Sequence, residues 1–299
     1  MDKLVEREPA AQSPLTAAPA LAVQFFLIPL AVVAVTGGIY LGFRTLLADN
    51  RTAREYLVEI RTGGDNRRWP AAYELSRLMS DPAVRAGDPT LVPGLVEAFA
   101  ASKGGDPMVR RYLALALGRL DAPVADGVAQ QLVSALEDED SETRINAIWA
   151  LGSLKESSAT PRIEALYTSQ DAGVRKMVVY ALGAIPQARG SATLVAGLSD
   201  EVPDVQWNAA VALARHGRRE GVEVIGRMLD RGYLVPLVKP ADAVPEDGDP
   251  VADVIITGLQ GAASIHDAAL RPAVESLSRT DQSLRVRQAA LEALKAFGV

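Results

Sequence analysis

The sequence of 299 residues lacks cysteine entirely and has only two histidines, His216 and His266. Without cysteine there can be no disulfide, no thiol nucleophile and no cysteine-ligated metal or iron–sulfur site. It contains no Gly-rich phosphate loop, no HExxH motif and no G-x-S-x-G elbow. We therefore expect no enzymatic activity, no bound metal and no cofactor.

Positive charge and aromatic residues are also scarce. The chain has 31 Lys and Arg against 37 Asp and Glu, and residues 44–299 have 29 against 34, a net charge of −5. Because nucleic-acid binding relies on basic clusters that release counterions, this balance disfavours it. Aromatic residues make up 5% of the chain, whereas Ala, Leu and Val are abundant. This composition favours closely packed helices over a sheet.

The N-terminal region contains one long uncharged segment. Residues 1–18 are rich in Ala, Pro and charge without periodicity, so we predict a disordered tail. The next 24 residues, Ala20–Phe43, carry no charge. As a helix they would extend about 36 Å, enough to cross a bilayer core. A cleaved signal peptide is the alternative, but its apolar region is normally shorter and follows a basic stretch. The sequence thus predicts a transmembrane helix over 19–43.

The basic residues around this segment indicate its orientation. Two precede it and four follow closely: Lys3 and Arg7, then Arg44, Arg51, Arg54 and Arg61. Positively charged flanks favour the cytoplasmic side. We therefore expect a single-pass protein whose C-terminal part is cytoplasmic.

A 15-residue pattern recurs along the rest of the chain. Asp171–Ile185 reads DAGVRKMVVYALGAI, Asp106–Leu120 reads DPMVRRYLALALGRL and Asp140–Leu154 reads DSETRINAIWALGSL. Each copy has an acidic start, an Arg four residues later and an Ala-Leu-Gly near its end. The corresponding leucines in all copies, including looser ones, are Leu75, Leu117, Leu151, Leu182, Leu213, Leu259 and Leu294. Spacings of 31 to 46 residues are typical of a helix–turn–helix repeat.

Seven such helical pairs fill residues 44–299, and no sheet is needed. We predict an all-α solenoid in which positions 3, 7, 10, 11 and 14 of each second helix form the buried stripe. The Gly at position 12 lies near the helix end, where it could turn the chain into the next unit. The longest spacing contains a Pro-rich insertion, 232–250, that is incompatible with helix.

The pattern of these repeats resembles HEAT repeats, particularly the bacterial HEAT-like type also found in phycobilisome-lyase-like proteins. The resemblance covers about 250 residues. It implies that the second helices line the concave face of a superhelix and that the recurrent Asp and Arg bond between adjacent repeats. Together with the predicted anchor, it implies a location in the bacterial inner membrane.

The Arg at position 4 allows two interpretations. It could form a basic track for phosphate or acidic peptide, or a series of bonds to the acidic residues at the starts of neighbouring repeats, Asp106, Asp140 and Asp171. Position 4 lies beside the buried stripe, so we predict the second. Gln206 and Ala252 interrupt the series.

Positions 5, 6 and 9 lie on the opposite sector and contain all three tryptophans. Exposed Trp, Tyr and Arg are common at interface hot spots. The alternative is that these aromatics cover seams between repeats or are buried by the adjoining first helix. Tyr233 and Leu234 of the insertion are apolar for an exposed loop, and the loop either binds or folds back on its own repeat. The predicted partner-binding residues are Trp69, Tyr73, Arg111, Tyr112, Trp149, Tyr180, Trp207, Tyr233 and Leu234.

These features predict a membrane-anchored scaffold or adaptor that binds protein partners, integral subunits of a membrane complex, through an aromatic-rich concave face. A lyase-like or chaperone-like protein that binds a bilin or another flat ligand in the same groove is the alternative. The sequence leaves the identity of the partner open.

Overall fold

A computed structural model of the chain describes residues 28–47, 51–124, 126–238 and 248–298. The chain forms two compact parts, Met1–Arg51 and Thr52–Val299. The N-terminal part contains helix α1, Ile28–Leu47, whose side chains from 28 to 40 are almost all exposed. The predicted tail 1–18 and the first part of the predicted span, residues 19–27, lie outside the described residues. Over the part of the chain that is described, none of the helices has both the length and the apolar character to cross a membrane. The predicted transmembrane anchor is therefore without support here.

The C-terminal part contains helices and no strand over its described residues, as the repeat pattern predicts. Its helices are α2 (Ala53–Thr62), α3 (Asp65–Leu78), α4 (Pro82–Gly87), α5 (Leu91–Ala101), α6 (Pro107–Leu117), α7 (Asp126–Ser134), α8 (Ser141–Ser153), α9 (Thr160–Ala165), α10 (Ala172–Ala184), α11 (Ala192–Gly197), α12 (Pro203–Arg215), α13 (Val222–Met228), α14 (Arg231–Leu234), α15 (Pro250–Ile265), α16 (Arg271–Thr280) and α17 (Leu284–Ala296).

These helices form seven pairs, numbered here as units one to seven: α2/α3, α5/α6, α7/α8, α9/α10, α11/α12, α13/α15 and α16/α17. The second helices contact one another in sequence, from α3 through α6, α8, α10, α12 and α15 to α17, and so form one continuous layer. The predicted stripe is buried between the layers; in α10 its members Val174, Val178 and Leu182 are fully inaccessible. The buried residues form two hydrophobic clusters that meet in α12, and each cluster extends over several repeats.

The acidic residue that starts the motif has a local role. The side chains of Asp106, Asp140 and Asp171 accept hydrogen bonds from backbone N–H groups in the first turn of α6, α8 and α10. A capping carboxylate satisfies N–H groups that have no partner within the helix and faces the positive end of the helix dipole. This role explains why an Asp recurs at the start of each of these helices.

The Gly at position 12 serves a different purpose from the predicted turn. A Cβ on Gly152 would lie 2.8 Å from the Cα of Ala181, and one on Gly183 would lie 2.8 Å from the Cα of Ala212. Neither glycine has a positive φ, so backbone freedom is not the reason for it. Glycine is present here because the second helices of consecutive units approach too closely for any side chain.

The side chain at position 4 forms hydrogen bonds, but its partners differ from the predicted acidic residues. Arg144 donates from Nη1 to the carbonyl of Asp138 at 2.7 Å, and Arg175 donates from Nη1 to the carbonyl of Ser169 at 2.9 Å. These carbonyls lie six residues before the donor, in the turn of the same unit. Gln206 makes the same bond to Asp200 O at 2.6 Å, so it does not interrupt the series. Position 4 therefore fixes the turn within units three, four, five and seven.

The bonds between units also differ from the prediction, because the position-4 arginines pair with acids in the turn before the next second helix. Arg110 Nε donates to Asp138 of the next unit at 2.6 Å, and Arg175 donates to both carboxylate oxygens of Asp200 at 2.9 and 3.0 Å. The capping residue Asp140 pairs instead with Arg111, at position 5, through two bonds of 2.7 and 2.6 Å. The predicted bonding between repeats exists, but Arg111 belongs to it. Its role in partner binding stays a prediction.

The start of the insertion packs on its own repeat. Residues 231–234 form the short helix α14, capped by the Asp230 side chain, so the prediction that 232–250 excludes helix was wrong at its start. Leu234 is fully buried and Tyr233 is half-buried against the core, which corrects their expected exposure. Residues 239–247 lie outside the described part of the chain.

Candidate binding site

Three consecutive second helices, α10, α12 and α15, border one cavity of about 290 Å³. Positions 5, 6 and 9 of unit four supply Lys176, Met177 and Tyr180, and unit five supplies Trp207 and Asn208. Unit six contributes Asp253, Val254 and Thr257. Residues three or four apart on a helix lie on the same face, so the repeated spacing brings these side chains together. The sector chosen from the helical wheel therefore lines a common site in units four to six.

The apolar part of the cavity comes from aromatic and sulfur-containing side chains. Trp207 is only 5% exposed and belongs to the core, contrary to its predicted place on a solvent-facing sector. Tyr180 is half-buried, and the guanidinium of Arg215 lies 5.7 Å from its ring centre. Met177 and Met228 add flexible thioether chains, which adapt to irregular shapes. The result is a preformed apolar depression on a rigid layer of helices.

The rim of the cavity is charged, and its charges are already paired. Lys176 Nζ lies 3.4 Å from Asp204 Oδ2, and Arg285 lies 2.7 Å from Asp253 Oδ1. All four side chains are more than 40% exposed, and ion pairs in such positions contribute little and can exchange with other partners. The rim can therefore adjust to a bound partner without a large energetic cost.

The other polar groups of the cavity bond to their own helices. Asn208 donates to Asp204 O at 2.8 Å, and Thr257 donates to Asp253 O at 2.9 Å. These bonds leave the apolar surface as the principal feature that a partner would contact. Burial of that surface, and not a network of directed hydrogen bonds, would then supply most of the affinity.

The remaining predicted aromatics are distributed over the earlier units. Trp69 and Tyr73 in α3 are 41% and 44% exposed, and Tyr73 meets Tyr112 of the next unit edge-on at 5.3 Å. Trp149 is half-buried; a Cβ on Gly118 would lie 2.6 Å from its ring, so this Trp covers the seam between units two and three. The predicted residues thus form an exposed patch at Trp69 and Tyr73, a seam contact at Trp149 and a cavity at Tyr180 and Trp207. The sequence predicted a single groove.

Met228 is a cavity residue that the sequence analysis missed. It ends α13, a first helix, whereas the wheel considered only second helices. A pattern defined on one helix cannot show which residue of another helix reaches the same space. Within the described residues, no group of three or more His, Asp or Glu is arranged to hold a metal ion.

A larger depression of about 430 Å³ lies among first helices. Gln130, Ser134, Glu137 and Arg162 are among the residues that line it. Arg162 pairs with Glu137 at 3.0 Å with both side chains well exposed. No aromatic side chain of the described residues lines it, so it lacks the Trp and Tyr surface that the cavity on the second helices offers to a partner.

Comparisons with known proteins agree with this architecture. Residues 92–183, 128–214 and 159–233 each match the family described as HEAT repeats, and these matches together span residues 92–233. Comparison with curated protein sequences finds no match.

Among solved structures, the CpcE–CpcF complex of phycocyanin lyase from Nostoc sp. PCC7120 is 21% identical, with 83% of this chain and 89% of that chain covered and a TM-score of 0.56. An engineered protein is 20% identical, with coverage of 82% and 96% and a TM-score of 0.43. A designed armadillo repeat protein is 19% identical, with coverage of 81% and 98% and a TM-score of 0.38. The likeness to the lyase complex shows a shared fold.

Proposed function

Starting from an array built of HEAT repeats, we propose that this protein is a non-enzymatic scaffold that binds a protein partner on its second-helix layer. The cavity between α10, α12 and α15 is the observation that carries the proposal. It presents Trp207, Tyr180 and two methionines on three consecutive repeats. Trp and Tyr in pockets are typical centres of protein–protein binding energy.

The size of the cavity favours a protein partner over a flat ligand. Cofactor and drug-sized sites usually enclose roughly 300–1,000 Å³, and about 290 Å³ lies just below that range. One or two large apolar side chains of a partner fit this space better than a tetrapyrrole does. A bilin-binding, lyase-like role remains the second candidate, supported by the Trp207–Tyr180 lining and by the fold shared with the lyase complex. Visible absorbance of the purified protein tests it directly.

A second contact surface supports binding along the array. Trp69 and Tyr73 of unit one are exposed, on the same helix layer as the cavity. Two separate contacts on one partner raise the overall affinity above that of either alone. The partner is then an extended or large protein and not a short peptide.

The central test places a large charged residue in the cavity. Val254 is half-buried in its wall, and Val195 is partly exposed on a first helix, outside the cavity. We expect V254R to abolish co-purification of the partners that are recovered with the wild type, with little change in the thermal midpoint. V195R should retain the same partners. Mass spectrometry after mild-detergent purification measures both, and retention of these partners by V254R would contradict the proposal.

We further propose, on the sequence alone, that residues 19–43 hold the scaffold at the bacterial inner membrane and that its partners are integral subunits there. Their uncharged stretch supports this, together with the exposed apolar side chains of α1, such as Leu30 and Val33. Extraction of membranes with alkaline carbonate should leave the chain in the pellet. Release into the supernatant would contradict the anchor without affecting the proposed binding surface.

A further inference from the structure

The carboxylates that join consecutive units follow one geometry. Asp138, Asp200 and Asp281 each lie in the turn between the two helices of a unit. Each accepts a hydrogen bond from the backbone N–H two residues later, at 3.1, 3.0 and 2.8 Å. The position-4 residue of the same unit donates to the carbonyl of each. These three residues are therefore structurally equivalent, and each needs a cation from the preceding unit.

In units two and four that cation comes from position 4 of the second helix. Arg110 supplies it to Asp138, and Arg175 supplies it to Asp200. Unit six cannot follow this pattern, because the corresponding part of α15 contains Ala252 and Asp253. The carboxylate of Asp281 is nevertheless paired, although its side chain is only 2% exposed.

The missing cation comes from the residue just before the insertion. Arg231, the first residue of α14, donates to both oxygens of Asp281 at 3.0 and 2.9 Å. Its third nitrogen donates to both oxygens of Asp249 at 3.2 and 2.9 Å. The buried Leu234 holds α14 to the core, so the guanidinium has a fixed position between units six and seven.

Asp249 connects this bridge to the cavity. It caps α15 by accepting a hydrogen bond from the N–H of Ala252 at 2.9 Å. Val254 and Thr257, which line the cavity, follow within the next two turns of the same helix. The start of α15, and with it one wall of the cavity, therefore depends on where Arg231 holds Asp249.

We propose that Arg231 is the positioning residue of the cavity: it holds the first turn of α15 between the insertion and Asp281 and so sets the place of the Val254–Thr257 wall. This inference rests on the proposed function in taking the cavity as the docking site. It assigns a defined role to Arg231, which supplies the cation that the repeat pattern lacks in unit six. Changes at Arg231 or Asp249 thereby alter the shape of the site, although neither residue lines the cavity.

Amide hydrogen exchange of the full chain tests the proposal without any partner. R231K keeps the positive charge but cannot bond both carboxylates in the same way. We expect exchange in residues 250–257 to rise about tenfold, as for the loss of one charge-assisted hydrogen bond, while residues 172–180 of the opposite wall stay unchanged. The matched control R110K removes an equivalent bridge in units two and three and should leave 250–257 unchanged.

A second variant covers the case in which R231K fails to fold. In D249N the Asn can still cap α15, but its neutral amide weakens the link to Arg231, and Asp281 stays paired. It should also raise exchange in 250–257. Because the chain has no cysteine, V254C provides a single thiol in the wall. Its reaction with Ellman's reagent should be faster, by a similar factor, when combined with D249N.

Two results would overturn the proposal: unchanged exchange in 250–257 in the folded variants, or an equal rise in every helix, which marks a general loss of stability. Both readouts are independent of partner capture. Retention of partners by V254R would therefore contradict the proposed function. Unchanged amide exchange in 250–257 would contradict only the role of Arg231.

Discussion

At the scale of single residues, the glycine at position 12 shows how closely the repeats pack. Gly152 and Gly183 each face the backbone of the next second helix. A Cβ on either glycine would lie less than 3 Å from a Cα of that helix. The atoms in the way include Cα atoms, which cannot rotate aside. A rotamer change therefore cannot relieve the contact, and the helices themselves would have to move.

We predict that G152A destabilises the protein by about 1–3 kcal/mol, the usual cost of overpacking. The higher helix propensity of Ala, worth up to about 1 kcal/mol, offsets only part of this. Urea unfolding at neutral pH measures the change. G87A is the control, because a Cβ there meets nothing within 4 Å, and it should be neutral or slightly stabilising. A G152A variant as stable as the wild type would show that the seam can relax.

At the scale of helices, the seams between units depend on buried Arg–Asp pairs. Arg175 and Asp200 have side chains that are 9% and 5% exposed and share two hydrogen bonds. Arg175 also bonds the carbonyl of Ser169, so one side chain joins the turns of units four and five. Such a pair is costly to break because its partner stays buried with an unpaired charge.

R175M should therefore lower the free energy of unfolding by about 3–5 kcal/mol. R162M, which removes the exposed pair with Glu137, should change it little. Thermal or chemical unfolding of both variants gives the comparison. Equal effects of the two substitutions would mean that burial does not govern these pairs.

At the scale of the whole molecule, the same carboxylates set the response to acid. Hydrogen bonds from Arg111 hold the pKa of Asp140 well below its ordinary value, and those from Arg175 lower the pKa of Asp200. Burial would raise the pKa of Asp281, but the hydrogen bonds from Arg231 and the N–H of Ser283 outweigh it, so this pKa is also lowered. Each group binds a proton less readily in the folded state than in the unfolded state.

A lowered pKa in the folded state stabilises the fold fully above the unfolded value, near pH 4 for Asp. We therefore predict that stability falls as the pH decreases below about 4, because the unfolded chain then takes up protons that the folded chain excludes. Urea unfolding at several pH values checks this. D140N should reduce the steepness of the fall, while stability that is constant below pH 4 would contradict it.

Much of the fold follows from local patterns. The helix pairs, the buried stripe and the capping aspartates depend on residues within one 15-residue motif, and a wheel represents these well. The sector that lines the cavity was also found this way, through Tyr180 and its neighbours. The burial of Trp207 and Leu234 and the pairing of Arg111 with Asp140 were missed because they depend on other helices, which a wheel of one helix does not include.

The repeated motif of Asp, Arg and Ala-Leu-Gly is enough to specify seven helical pairs, because capping and amphipathic periodicity act within a few residues. The packing of whole units sets the distances between helices, and three further features depend on those distances. Position 12 must be glycine, Arg111 lies within reach of Asp140, and Met228 and Val254 line one cavity. Such contacts join residues about 30 positions apart or come from different helices, and no local pattern encodes them.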